Sequence, residues 1–234
     1  MAIAYDASTD GGDNGGSTTS LTYAHTCTGS DGLLTVAISG DTIGGADDIS
    51  SVTYNSVGMT LITKITATIG RYAYLYRLFS PSTGANNIVI TCSSSHYILS
   101  VCSSYAGVSG AGVDASTTNT APALSASITT SLTTVADNCW VIMGGYGYSA
   151  SLPQVAGTGA TLRKSGTFGV TGIYDSNSAV TPAGSYSMTW SFATPPAGQA
   201  MGSILASFAP PGGGGTNWGP LLGLGNNRLV SVVS

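Results

Sequence analysis

Apolar and polar residues alternate with a period of two through most of this chain, the pattern of half-buried β-strands. In SLTYAHTC the residues Leu21, Tyr23, His25 and Cys27 share one face. LLTVAISG contains a strongly apolar strand from Leu33 to Ser39. ISSVTY and MTLITKITAT flank Asn55 to Gly58, read as a four-residue hairpin turn. The plainest pattern is Gly70 to Cys92. Tyr72, Tyr74, Tyr76 and Leu78 fall on one face, and Arg71, Ala73, Leu75, Arg77 and Phe79 on the other. After Ser-Pro-Ser-Thr-Gly a second run places Ile88, Ile90 and Cys92 opposite Asn87, Val89 and Thr91. This is the form of a β-hairpin or a short strand connection. YILSVCSSYAG, from Tyr97 to Gly107, reads as a third pairing partner after a turn at Ser93–Ser95.

The segments ALSASITT, NCWVIMGGYGYS, ATLRKSG, FGVTGIY, SYSMTWSFAT and AMGSILASFA continue the series at short spacings with turn signals between. About a dozen strands are expected, and no segment keeps a helical period. Residues 8–20, Asp41–Asp48 and 107–122 read as polar, glycine-rich loops. No exact internal repeat stands out. The expected fold is all-β, an antiparallel two-sheet β-sandwich of jelly-roll-like form with an extended C-terminal tail. Three parts are expected: residues 1–19 as an N-terminal segment and polar loop, 20–211 as the sandwich, and 212–234 as a glycine linker and apolar tail. An apolar tail on a glycine tether must be covered by something. It either folds back on its own domain or docks on a neighbouring subunit; docking is the favoured reading, and it nominates Trp218, Leu221, Leu222, Leu224, Leu229, Val230 and Val232 as assembly residues.

Composition sharpens this picture. Only 7% of the residues are charged, against roughly 25% in ordinary soluble domains. Ser and Thr supply about a quarter of the chain, and every acidic residue is Asp. Asp suits turns where Glu suits helices. A surface of hydroxyls and amides fits a virion or extracellular setting. The net charge of −4, with basic residues scattered, excludes a nucleic-acid interface of the usual basic kind. No apolar run is long enough for a membrane-spanning helix, and the start MAIAYDASTD has no signal-peptide pattern. A particle assembled in a host cytoplasm and exposed after release reconciles these features, with an extracellular surface as the alternative. Four cysteines allow three disulfide pairings. Their places among apolar residues favour buried thiols, and without a CxxC pair a zinc site is not expected.

LLTVAISGD, SSVTYNSVGMTLI, GRYAYLYRLFSPSTGANNIVITCS and the following Tyr-Ala-Gly-Val resemble, in order, a β-sandwich module widespread in phage virion proteins and bacterial surface proteins. SYSMTWSF and MGSILASFAP resemble its closing segments. The resemblance spans roughly residues 20–210 and leaves the tail outside. It implies a two-sheet jelly-roll-like sandwich and roles in particle decoration, fibres, appendages or adhesion. It carries no catalytic residues.

Candidate chemistry is sparse. His25 and His96 are the only histidines. A Ser-His-Asp set is open in principle, but no nucleophile motif accompanies them, and the readings are a core-edge and a turn histidine. Asp6, Asp10, Asp13 and Asn14 form one oxygen-rich loop and Asp41, Asp47 and Asp48 another. Either can be written as a calcium site, though turn-forming Asp is the plainer reading. Tyr72, Tyr74 and Tyr76 can be a sugar-stacking platform or core wall, the latter with Arg71 and Arg77 outward. The expected function is therefore a non-enzymatic structural subunit of a phage particle, with no cofactor, that pairs with itself and with other virion proteins. The alternative is a carbohydrate-binding, lectin-like adhesion module for surface glycans, with or without calcium.

Overall fold

A computed structural model describes residues 1–16, 18–30, 32–41, 49–66, 71–121, 125–147, 152–194 and 200–212. In chain order the strands are β1 (Ala4–Asp13), β2 (Ser20–Cys27), β3 (Leu33–Asp41), β4 (Ile49–Tyr54), β5 (Val57–Gly58), β6 (Thr60–Ile65), β7 (Arg71–Phe79), β8 (Gly84–Cys92) and β9 (Ile98–Ala106). They continue as β10 (Ala115–Ala121), β11 (Ser127–Thr133), β12 (Trp140–Gly147), β13 (Gln154–Ala156), β14 (Thr161–Ser165), β15 (Thr171–Asp175), β16 (Ser185–Phe192) and β17 (Met201–Phe208). A 3-10 turn, Thr167–Gly169, joins β14 to β15.

The strands form four antiparallel sheets stacked as layers. The first inner sheet has the order β1-β9-β3-β7-β6 and the first outer sheet β2-β8-β4-β5. The second inner sheet has the order β10-β17-β12-β15-β14 and the second outer sheet β11-β16-β13. One core, with Leu34, Val36, Ile38, Tyr74, Ile88 and Ile90, lies between the first outer and inner sheets. A matching core, with Met143, Tyr174, Met188, Trp190, Phe192 and Leu205, lies between the second pair. A third, with Ala37, Leu75, Tyr105, Trp140, Ile173 and Phe208, joins the two inner sheets. The central strands of the inner sheets therefore bury apolar residues on both faces. Leu34, Val36 and Ile38 serve one core while Leu33 and Ala37 serve another, which explains the unbroken apolar run at β3. Tyr146 Oη crosses the central layer and donates to the Tyr74 carbonyl oxygen at 2.6 Å.

The expected antiparallel sandwich is present, and it occurs twice. The inner sheets have the same strand order when β1, β9, β3, β7 and β6 are replaced by β10, β17, β12, β15 and β14. Leu33 pairs with Tyr105 in the first half, as Trp140 pairs with Phe208 in the second. Each half has a bulge at the same place, between Leu61 and Thr63 and between Leu162 and Lys164. Across the central layer β1 lies by β14 while β6 lies by β10, so the halves face each other in a two-fold manner. The tetrapeptide Asp-Ala-Ser-Thr opens both edge strands, at Asp6–Thr9 and Asp114–Thr117. It is an exact if short repeat, contrary to the expectation of none.

Several expectations need correction. Ser8–Asp13 and Ala115–Ala121 lie in strands, where polar loops were expected. Each is an edge strand held by backbone pairing to a buried neighbour, a signal that composition does not carry. Of the two readings for the run through β7 and β8, the short strand connection holds and the hairpin does not: β7 belongs to an inner sheet and β8 to an outer one, so the Pro81 turn is a crossover. The third partner, β9, pairs with β1 and β3 instead of with these strands. The turn after β4 is tighter than expected, with Asn55 and Ser56 both left-handed at φ 48° and 64° and Tyr54 facing Val57. That is the two-residue geometry favoured by strand twist.

Candidate functional site at the edge of the first sandwich

The histidine singled out from sequence sits inside a four-member hydrogen-bond chain. Alternation along β2 turns His25 inward with Leu21 and Cys27, and it is 2% exposed. Its Nδ1 lies 2.8 Å from Thr9 Oγ1 on β1, and its Nε2 lies 3.1 Å from Ser104 Oγ on β9. Ser104 Oγ donates to Asp6 Oδ2 at 2.7 Å. Asp6 also accepts the Thr28 backbone amide at 2.9 Å, and the Thr28 hydroxyl. Since the Ser104 proton goes to Asp6, Nε2 of His25 carries hydrogen and Nδ1 accepts from Thr9.

Electrostatics follow from this geometry. Burial pushes the Asp6 carboxyl up, but the bonds from Thr28 and Ser104, together with His25, outweigh burial and hold it below the ordinary 3.8. Burial lowers His25 below 6.5, and the Asp6 charge opposes that only in part. The order of partners is not that of a nucleophilic triad, in which the acid orients the base. Here acid and base both bond the serine. What the arrangement does is fasten three strands together.

The second half contains the same clamp without the histidine. Asp114 Oδ2 accepts from Ser207 Oγ at 2.8 Å and from the Val135 amide at 2.9 Å, while Oδ1 accepts the Ala136 amide at 2.9 Å. Ser207 stands where Ser104 stands, one residue before the aromatic that faces Leu33 or Trp140. Tyr23 bonds Ser100 in the first half, and Thr130 bonds Ser203 in the second. Two residues further along these strands, His25 is matched by the core residue Leu132. Sequence reading noticed His25 but missed Asp6, Thr9 and Ser104 as its partners. The repeated Asp-Ala-Ser-Thr, with the paired Ser-x-x-x-Ser-aromatic-Ala at Ser100–Ala106 and Ser203–Ala209, is the signal that finds them.

A second buried polar set ties the halves. Arg163 Nε donates to Asp175 Oδ2 at 2.6 Å, with Asp175 fully buried and Arg163 15% exposed. The Arg163 guanidinium lies 4.2 Å from the Tyr5 ring centre, and Ser8 Oγ donates to the Arg163 carbonyl at 3.0 Å. Asp10 accepts from Thr167 Oγ1 at 2.9 Å across the same seam.

The other nominated residues are placed as follows. Tyr72, Tyr74 and Tyr76 are 8%, 2% and 8% exposed and form core wall, so no sugar platform exists there. Arg71 and Arg77 do not point outward: they share the face of Ala73 and Leu75 and are half-buried, Arg77 lying 4.4 Å from the Phe79 ring centre. Cys27, Cys92, Cys102 and Cys139 are buried, and none is in a disulfide. Asp6, Asp10 and Asp13 serve separate partners, Asp13 accepting the Gly15 amide at 2.6 Å. Among the described residues no three His, Cys, Asp or Glu side chains converge as a metal site. The side chains of Asp41, Asp47 and Asp48 lie outside the described residues, as do Trp218, Leu221, Leu222, Leu224, Leu229, Val230 and Val232. His96 is buried, and its carbonyl accepts from Asn14 Nδ2 at 2.9 Å.

No known family description and no curated protein matches this chain. Among solved structures it is similar to the extracellular domain of ANXUR2 from Arabidopsis thaliana, at 11% identity and a TM-score of 0.26, covering 82% of each chain. It is similar to the same degree to the plant receptor-like kinase ANX2, at 11% identity, a TM-score of 0.26 and 82% of each chain.

Proposed function

We propose that this chain is a non-enzymatic structural subunit of a phage particle, as capsid decoration, fibre or appendage, that associates with copies of itself. The observation that carries the reading is the solvent face of the second outer sheet. Ser127 faces Ser191, Thr129 faces Thr189, Ser131 faces Ser187 and Thr133 faces Ser185. Thr129 and Thr189 bond each other at 2.7 Å, as do Ser131 and Ser187. A face whose hydroxyls already bond one another, and which carries no charge, loses little when another subunit covers it. Thr22, Ala24 and Thr26 give the first outer sheet a similar uncharged, exposed edge. The order of segments, which resembles that of phage virion sandwiches, supports this role, and the apolar tail is proposed as the second contact.

Sedimentation and electron microscopy of the purified full chain test the proposal. Regular oligomers or filaments are expected, weakened by Ser187→Lys on the outer face and by deletion of residues 212–234. A monomer at every concentration overturns the proposal, and unchanged assembly after the deletion removes the tail from it.

A further inference from the structure

We propose that His25 is an acid-sensitive latch on the edge strand β1, releasing that strand from the first sandwich when the ring takes up a proton. The inference is independent of the particle role above.

Besides its backbone pairing with β9 and its bonds to Thr28, Arg163 and Thr167, β1 is tied to β2 and β9 through one ring. β1 is the outermost strand of its sheet, and its register against β9 shifts between Tyr5 and Ala7 and again between Asp10 and Gly12. Interrupted registers leave the ladder weaker there. Between those shifts, Thr9 bonds His25, and Asp6 reaches the same ring through Ser104. β1, β2 and β9 thus meet at a buried, uncharged imidazole.

Protonation changes what the site must hold. Nδ1 stops accepting from Thr9 and becomes a donor, so the Thr9 hydroxyl has to turn and give up its own acceptor. A cation also appears at a position 2% exposed, where the charged form is penalised. The other ionisable groups on these strands are Tyr5, Asp6, Asp10 and Asp13 on β1, Tyr23 and Cys27 on β2, and Cys102 and Tyr105 on β9, with Tyr54 of β4 donating to the His25 carbonyl. Of these, Asp6 acts on the ring by charge, and its effect is smaller than that of burial. The sign follows. A histidine held below 6.5 contributes stability that is present above that value and is lost as pH falls through the folded value.

The second half is the built-in control. Its edge strand β10 has the same clamp through Asp114 and Ser207, an uninterrupted register on β17, and Leu132 in place of the histidine. No imidazole bonds β10.

Amide hydrogen exchange of the full chain at about pH 7.5 and about pH 5, corrected for intrinsic rates, tests the latch. Protection of residues 4–13 should fall with acid by up to tenfold per pH unit, the limit for one titrating group, while residues 115–121 keep theirs. Asp6 stays ionised in this range, so it does not confuse the result. His25→Leu should make β1 indifferent to pH. Should that variant not fold, His25→Gln takes its place, since an amide can bond both hydroxyls without titrating. Equal acid responses of the two strands, no response of β1, or a response that survives replacement of His25 overturns the proposal.

Discussion

Asp6 and Asp114 are the same residue in two settings. Each opens an edge strand, each accepts a hydroxyl from the serine of the neighbouring inner strand, and each holds a backbone amide at the exit of the outer-sheet strand that follows. The clamp joins two sheets of one sandwich through a single carboxylate. Asp6→Ala or Asp114→Ala strands those amides and should cost about 1–2 kcal/mol in urea unfolding. The Asp6 clamp should also weaken in acid. A carboxyl held below 3.8 stabilises above that pH, and the contribution is lost as pH falls through the folded value.

Arg163 on β14 and Asp175 on the neighbouring strand β15 form a buried ion pair beside the seam between the halves. Arg163→Ala leaves a fully buried carboxylate without its partner, and unfolding should require about 3–5 kcal/mol less. Arg163→Lys keeps the charge but not the planar fork, so its loss should be smaller. Chemical denaturation of the three proteins checks the order.

The thiols should be silent in the native state. Burial pushes Cys102 up to about 12, and burial with the nearby Asp114 charge does the same for Cys139. Thiolate, not thiol, reacts with alkylating and disulfide reagents. A disulfide reagent at about pH 8 should therefore titrate no thiols before denaturation and all 4 after it.

Ser56 occupies a left-handed position with φ 64° directly after Asn55 at 48°. Glycine adopts such angles without the side-chain penalty. Ser56→Gly should raise stability by about 0.5–1 kcal/mol, read as a higher denaturation midpoint with an unchanged slope.

Trp190 is fully buried in the second sandwich, and its indole nitrogen donates to the Gly202 carbonyl at 3.2 Å. Trp190→Ala removes both the packing and that bond and should cost about 3–5 kcal/mol. The same change at exposed Val135 should alter stability by less than about 0.5 kcal/mol.

The chain's strand content was legible because alternation is local. Tyr72, Tyr74 and Tyr76 declare a shared face by spacing alone, and LLTVAISG declares a strongly apolar strand. His25 was placed inward by the same rule, with Tyr23 and Cys27. What alternation cannot express is partnership. The polar strands β1 and β10 exist because β9 and β17 offer them backbone donors and acceptors, and nothing in Ser8–Asp13 or Ala115–Ala121 states that offer. Allocation of β7 and β8 to different sheets rests on which faces are complementary across the cores. The ring of His25 found Thr9 and Ser104 only when three strands distant in sequence were brought together. Local periodicity thus determined that this is a β-sandwich protein, while pairing and layer packing decided that it is two sandwiches back to back and where its buried polar groups meet.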